Sequence, residues 1–140
     1  MFGRKPKKAG PRFIATFRVD FAEEVSGDDV GGRNVALAIM EIIPALGWGA
    51  RGPIDDGDHG WAVDVTSGGR TVWCQTLDLG EVTLLNCGND CISPPDFVEF
   101  LRNLNVALRQ DGRFHDIRWF TPEDLDFEGG GAPSPVDEGV

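Results

Sequence analysis

"WAVDVTSGGRTVWCQTL", Trp61 to Leu77, decides the fold. Two alternating runs flank Ser67-Gly68-Gly69-Arg70, and a Gly-Gly pair supplies the positive φ that a two-residue hairpin turn needs. With Gly68-Gly69 as the loop, Val65 stands opposite Val72, Val63 opposite Cys74 and Trp61 opposite Thr76. Side chains alternate along a strand, so these six share one face, the one expected beneath helices. Asp64, Trp73, Gln75 and Leu77 fall on the other face, with Leu84 or Leu85 nearby depending on the next turn. An indole on an uncovered sheet face has no intramolecular shelter, which makes Trp73 the first candidate for contact with another molecule.

The elements around the hairpin follow from periodicity. "RFIATFRVDF", residues 12–21, alternates Phe13, Ala15, Phe17, Val19 and Phe21 against Thr16, Arg18 and Asp20, a half-buried strand. "RNVALAIMEIIPAL", residues 33–46, places Val35, Ile39, Ile42 and Leu46 at helical spacing, and Pro44 and Gly47 mark its end. "GWGARGPIDDGDH", residues 47–59, reads as a loop. "EVTLLNC", residues 81–87, is a further strand. Ser93 caps the second helix, Pro94 opens it, and Phe97, Phe100, Leu101, Leu104 and Leu108 form its apolar stripe until Gly112 stops it. "RFHDIRWF", residues 113–120, closes the order, with His115 alternating with Ile117 and Trp119. The expected fold is α+β: a two-layer sandwich of β-α-β-β-β-α-β order, two helices on one face of a mostly antiparallel five-stranded sheet. Residues 1–11 read as a disordered basic arm, 12–127 as one domain and 128–140 as a disordered acidic tail.

At 140 residues with 41% hydrophobic content, the chain can bury a sizeable core. The net charge of −10 is segregated. Arg4, Lys5, Lys7, Lys8 and Arg12 make the head basic, while residues 121–140 carry acids and no base. An acidic body repels nucleic acid and anionic membrane and draws in a basic partner. No apolar run approaches the ~20 residues of a bilayer span, and no apolar core of a signal peptide follows the basic head. The sparse, odd cysteine set (Cys74, Cys87, Cys91) fits a reducing compartment, so a cytoplasmic location is expected.

The loop "GPIDDGDHGW" gathers Asp55, Asp56, Asp58 and His59. It lacks the alternating ligands and closing Glu of a calcium loop, and one His beside aspartates is no zinc pattern. It reads as a wet acidic recognition loop. Cys87 and Cys91 are spaced C-x3-C, whereas structural zinc pairs more often leave two residues between, and acidic surroundings raise a thiol's pKa. "EEVSGDDVGGRN", with Glu23, Glu24, Asp28 and Asp29, matches no phosphate loop and would oppose a phosphate. No cofactor is expected.

The reading that follows is a non-enzymatic acidic protein-binding domain. It would engage a partner with a basic surface through Trp73, Gln75 and Leu77 and the acidic loop Asp55, Asp56 and Asp58. In architecture alone this outline resembles bacterial immunity proteins and secretion chaperones, although the leading strand at 12–21 departs from the chaperone order. Two alternatives stand beside it. One is a small metal- or thiol-dependent enzyme using Cys74, Cys87 and Cys91 with His59 and His115. The other is a self-associating domain that pairs its Trp73 face in a homodimer.

Overall fold

The computed structural model describes residues 10–20, 31–126 and 130–137. The basic head up to Ala9, Phe21 and the acids Glu23, Glu24, Asp28 and Asp29 lie outside the described residues. The chain runs β1 (Ile14–Val19), α1 (Arg33–Ile42), β2 (Gly49–Asp55), β3 (Trp61–Ser67), β4 (Arg70–Asp78), β5 (Thr83–Cys91), α2 (Pro94–Asp111) and β6 (Phe114–Phe120). This is an α+β fold with two helices and an antiparallel sheet. The sheet has six strands, not the five expected, in the order β2-β3-β4-β5-β1-β6.

The extra strand is β2, within the stretch that composition marks as a loop. It pairs with β3 through Gly49↔Thr66, Ala50↔Val65 and Arg51↔Asp64, shifts register, and resumes at Ile54↔Ala62 and Asp55↔Trp61. Gly52-Pro53, a cis peptide bond, falls in the shift. An edge strand needs ladder partners on one side only, so it tolerates a proline and buries few side chains. The alternating signature that betrays interior strands is therefore missing.

The hairpin has the expected register: Val65 pairs with Val72, Val63 with Cys74 and Trp61 with Thr76. Gly68 and Gly69 take φ of 54° and 83°, as a tight turn requires. Val63, Val65, Val72, Cys74 and Thr76 are buried. The first four join one core with Ala15, Phe17, Leu85 and Trp119 from other strands, Val35 and Ile39 from α1, and the expected stripe of α2. Helix α1 stops at Ile42, and residues 43–46 tighten into a 3-10 turn around Pro44, whose ring cannot continue an α-helix. Ser93 Oγ accepts the Asp96 amide at 3.4 Å, and Gly112 ends α2. No helix among the described residues is long and apolar enough to cross a membrane.

At β6 a register shift opposite Thr16 and Arg18, with Asp116 at φ 54°, breaks the expected alternation. Phe114 joins Ile117 and Trp119 in the core, and its ring meets Phe17 edge-on at 5.1 Å. His115 is thereby turned away from Ile117 and Trp119, and its Nε2 lies 2.8 Å from Asp20 Oδ1.

Composition assigns residues 128–140 to a disordered tail, yet residues 130 and 132 contact β6, and Pro133, Ser134, Pro135 and Asp137 contact Arg109 of α2 and Arg12 ahead of β1. Ala132 and Trp119 exchange both backbone hydrogen bonds, at 2.8 and 2.9 Å, and the Arg12 amide donates to the Pro135 carbonyl at 2.7 Å. The reason is local. Gly131 packs on the Phe120 ring, and arginines supply donors to carbonyls that the prolines beside them cannot satisfy.

Candidate functional site

Because Val72, Cys74 and Thr76 face the core, Thr71, Trp73, Gln75 and Leu77 of β4 face the other way. The β4–β5 register sets Trp73 opposite Gly88, Gln75 opposite Asn86 and Leu77 opposite Leu84. Gly88 has no side chain, and the Trp73 indole lies across the space this leaves: a Cβ there would sit 2.8 Å from Trp73 Cε3. Trp73 and Leu77 are half-buried by their neighbours, and Ile54, in the same row as Gln75, is 45% exposed. The result is an apolar strip of Trp73, Leu77, Leu84 and Ile54 on one sheet face.

The acidic loop is fastened to this strip. Gln75 Nε2 donates to Asp56 Oδ2 at 3.2 Å and to the His59 carbonyl at 2.6 Å. Asp55 Oδ1 accepts the Gly57 amide at 2.9 Å, and the Asp56 amide donates to the Gly60 carbonyl at 2.9 Å. Asp55, Asp56, Asp58 and His59 are all exposed. Beyond Trp73, toward the hairpin end, Arg51, Asp64, Thr66, Thr71 and Asp90 line an open cavity of about 350 Å³. There Thr71 Oγ1 donates to Asp90 Oδ2 at 2.9 Å and accepts the Cys91 amide at 2.9 Å. Of the acidic trio, Asp56 is thus tied to the Trp73 face through Gln75, whereas Asp55, opposite Trp61, belongs by alternation to the other face of the sheet edge.

The thiol and imidazole groups do not come together. Cys74 and Cys87 are directly opposite on β4 and β5, both fully buried, with sulfurs 3.9 Å apart. The hydrogen bond it shares with Cys74, which holds the Cys87 proton in place, together with burial pushes the Cys87 thiol well above its ordinary pKa, which leaves it neutral and a poor nucleophile near pH 7. Cys91 is exposed at the far end of β5, His59 belongs to the acidic loop and His115 to β6, at the opposite edge of the sheet. Among the described residues no three His, Cys, Asp or Glu side chains are grouped so as to hold a metal ion.

Two features were not foreseen from sequence. Gly88 beneath Trp73 could be found only from the β4–β5 register, which an intervening turn of unknown length concealed. Asn86, beside Gln75 in the same row, has a buried Oδ1 with no hydrogen-bond partner among the described residues. No protein-family model, curated protein or solved structure matches the chain.

Proposed function

We propose that this protein is a non-enzymatic, cytoplasmic binding domain for a partner protein with a basic surface. In this reading both helices cover the sheet face that carries Val63, Val65, Val72 and Cys74, in a two-layer arrangement, and the Trp73 face is left for the partner. The carrying observation is the Gln75 clamp, which joins an apolar strip to an acidic rim by bonds of 3.2 and 2.6 Å to Asp56 and His59. An aromatic anchor bordered by charge is the usual layout of an energetic hot spot. The net charge of −10 adds long-range attraction for a basic partner. Immunity proteins and secretion chaperones, which the outline resembles, offer the pattern of a small acidic domain dedicated to one protein.

The test is capture of the partner from the native host by tagged wild-type protein and by Trp73→Ser. A basic protein recovered at near-equal stoichiometry and lost in the variant supports the reading. Triple neutralisation, Asp55→Asn with Asp56→Asn and Asp58→Asn, should then slow association and flatten its salt dependence. A partner retained undiminished by Trp73→Ser refutes this surface. A wild-type dimer that Trp73→Ser converts to a monomer in light scattering assigns the face to a second copy instead.

A further inference from the structure

The β6 edge lies at the opposite end of the sheet from the acidic loop, and a distinct set of contacts is built there. Along it, one short segment presents acceptors and the body of the protein presents donors. Ala132 makes the single strand-like pairing, exchanging bonds with Trp119 at 2.8 and 2.9 Å. Past it, Pro133 and Pro135 have no N–H, so the segment offers mainly carbonyls. Each of three successive carbonyls meets a donor. Arg109 NH2 reaches Pro133 O at 2.6 Å, Arg12 NH1 reaches Ser134 O at 3.3 Å, and the Arg12 amide reaches Pro135 O at 2.7 Å. Arg12 NH2 then pairs with the Asp137 carboxylate at 2.9 Å.

The donors are held in place from behind. Arg109 Nε donates to Asn105 Oδ1 at 3.1 Å, and its NH2 also reaches the Ile117 carbonyl at 3.1 Å. Asn105 Oδ1 is fixed in turn by the buried Trp119 Nε1 at 2.8 Å. Arginine can only donate, and the Pro-x-Pro stretch, which bends over residues 133–136, mainly accepts, so the surface and its occupant are complementary in kind. Most of these contacts go to backbone. The segment's own side chains contribute the buried Pro135, a carboxylate at Asp137 and an absence at Gly131, whose added Cβ would lie 2.6 Å from Phe120 Cζ. A segment recognised this way can be replaced by another chain that meets the same few conditions.

We propose that the β6 edge, with Arg12, Arg109, Asn105 and Phe120, is a recognition site for a Gly-x-Pro-x-Pro peptide on a partner protein, bent as residues 133–136 are and ending in an acid, and that residues 131–137 occupy it as an intramolecular stand-in. The stand-in also shields the edge from indiscriminate strand pairing, a general hazard of exposed strands. A partner must displace it, which makes the site self-limiting.

The test uses the full chain and a fluorescein-labelled synthetic peptide of residues 130–137. Gly131→Val expels the chain's own segment, because φ is +100° there and the new side chain would strike Phe120. Asp137→Lys, a surface change, loosens the segment without threatening the fold. Both variants should bind the peptide in anisotropy titrations. The wild type should bind at least about tenfold more weakly, since an intramolecular occupant competes at millimolar effective concentration. Adding Arg12→Glu should abolish binding, and a peptide with lysine in place of Asp137 should restore it. Folded variants that ignore the peptide up to about millimolar concentration, the strength expected of a tethered occupant, overturn the proposal. So does equal binding by wild type, or a wild-type dimer formed by exchange of residues 131–137 between copies.

Discussion

Replacing Asn105 by alanine should lower stability by about 3 kcal/mol, and the structure says where that comes from. Asn105 is 9% exposed, and its Oδ1 accepts from the buried Trp119 Nε1 at 2.8 Å and from Arg109 Nε at 3.1 Å. Alanine leaves the indole N–H buried with no acceptor, which by itself costs roughly 1–3 kcal/mol. Arg109 is only part-buried and keeps the Ile117 and Pro133 carbonyls, so its share is smaller, about 1 kcal/mol at most. For a chain of this size the sum corresponds to a fall of about 10 °C in Tm. Urea melts at unchanged m-value would give the figure directly. Asn105→Asp keeps an acceptor for both donors and should cost far less. The decisive measurement is the double-mutant cycle with Trp119→Phe. Phenylalanine has no N–H to strand, so Asn105→Ala should cost about 1–2 kcal/mol less in that background. Equal costs in both backgrounds would refute the argument that the indole hydrogen bond carries the effect.

Three further outcomes follow from single contacts. Asn86→Leu removes a buried acceptor that has no partner among the described residues, and should raise stability by about 1 kcal/mol in a thermal melt; a loss would show that Asn86 is satisfied. The Arg113 guanidinium, 2.6 Å from Asp111, holds that carboxyl below its usual pKa. A lowered carboxylate contributes stability that is fully present above the unfolded-state value of about 3.9 and is lost as pH falls through the folded one, so the gap between wild type and Asp111→Asn should be constant above pH ~5 and close in acid. In thiol titration of the folded protein Cys91 should react first, while Cys74 and Cys87 stay protected until unfolding; prompt reaction of all three would contradict their burial.

The parts of the fold legible in the sequence are those where burial imposes a period. The hairpin at Gly68-Gly69 fixed three cross-strand pairs, and all three are present, because a turn of known length leaves no freedom of register. The second helix was equally legible from Ser93, Pro94, its apolar stripe and Gly112. β2 and the 130–137 segment escaped for a common reason. Both are held at a sheet edge through backbone groups, by Gly- and Pro-containing stretches whose side chains need not alternate. His115 was misplaced because a one-residue bulge inverts every facing beyond it, and nothing in "RFHDIRWF" announces a bulge at Asp116. The site residues were found as a set, since strand alternation put Trp73, Gln75 and Leu77 on one face. Their connection to the loop was not, because Gln75 reaches across a distance that only the folded chain defines.

The placement of charge gives the two sheet edges different characters. Most described arginines are engaged within the fold. Arg12 and Arg109 hold the 131–137 segment, and Arg113 pairs with Asp111 and Glu41. Arg118 pairs with Asp116, Arg33 lies 5.8 Å over Trp61, and Arg70 lies 4.6 Å over Trp48 while reaching Asp96. At the β2 edge, by contrast, Asp55, Asp56 and Asp58 stand exposed with no salt bridge to any described arginine. A carboxylate facing water projects its field outward, whereas one paired to a guanidinium a few ångströms away projects little. The acidic loop, next to the Trp73 strip, is therefore one place where negative charge faces water unpaired by a described arginine. At the β6 edge the donors are already occupied by the 131–137 segment, so a ligand of the kind proposed there would have to win by geometry rather than by attraction at a distance. Salt should accordingly slow encounter at the first surface and leave the second nearly unchanged, except through the single Arg12–Asp137 pair.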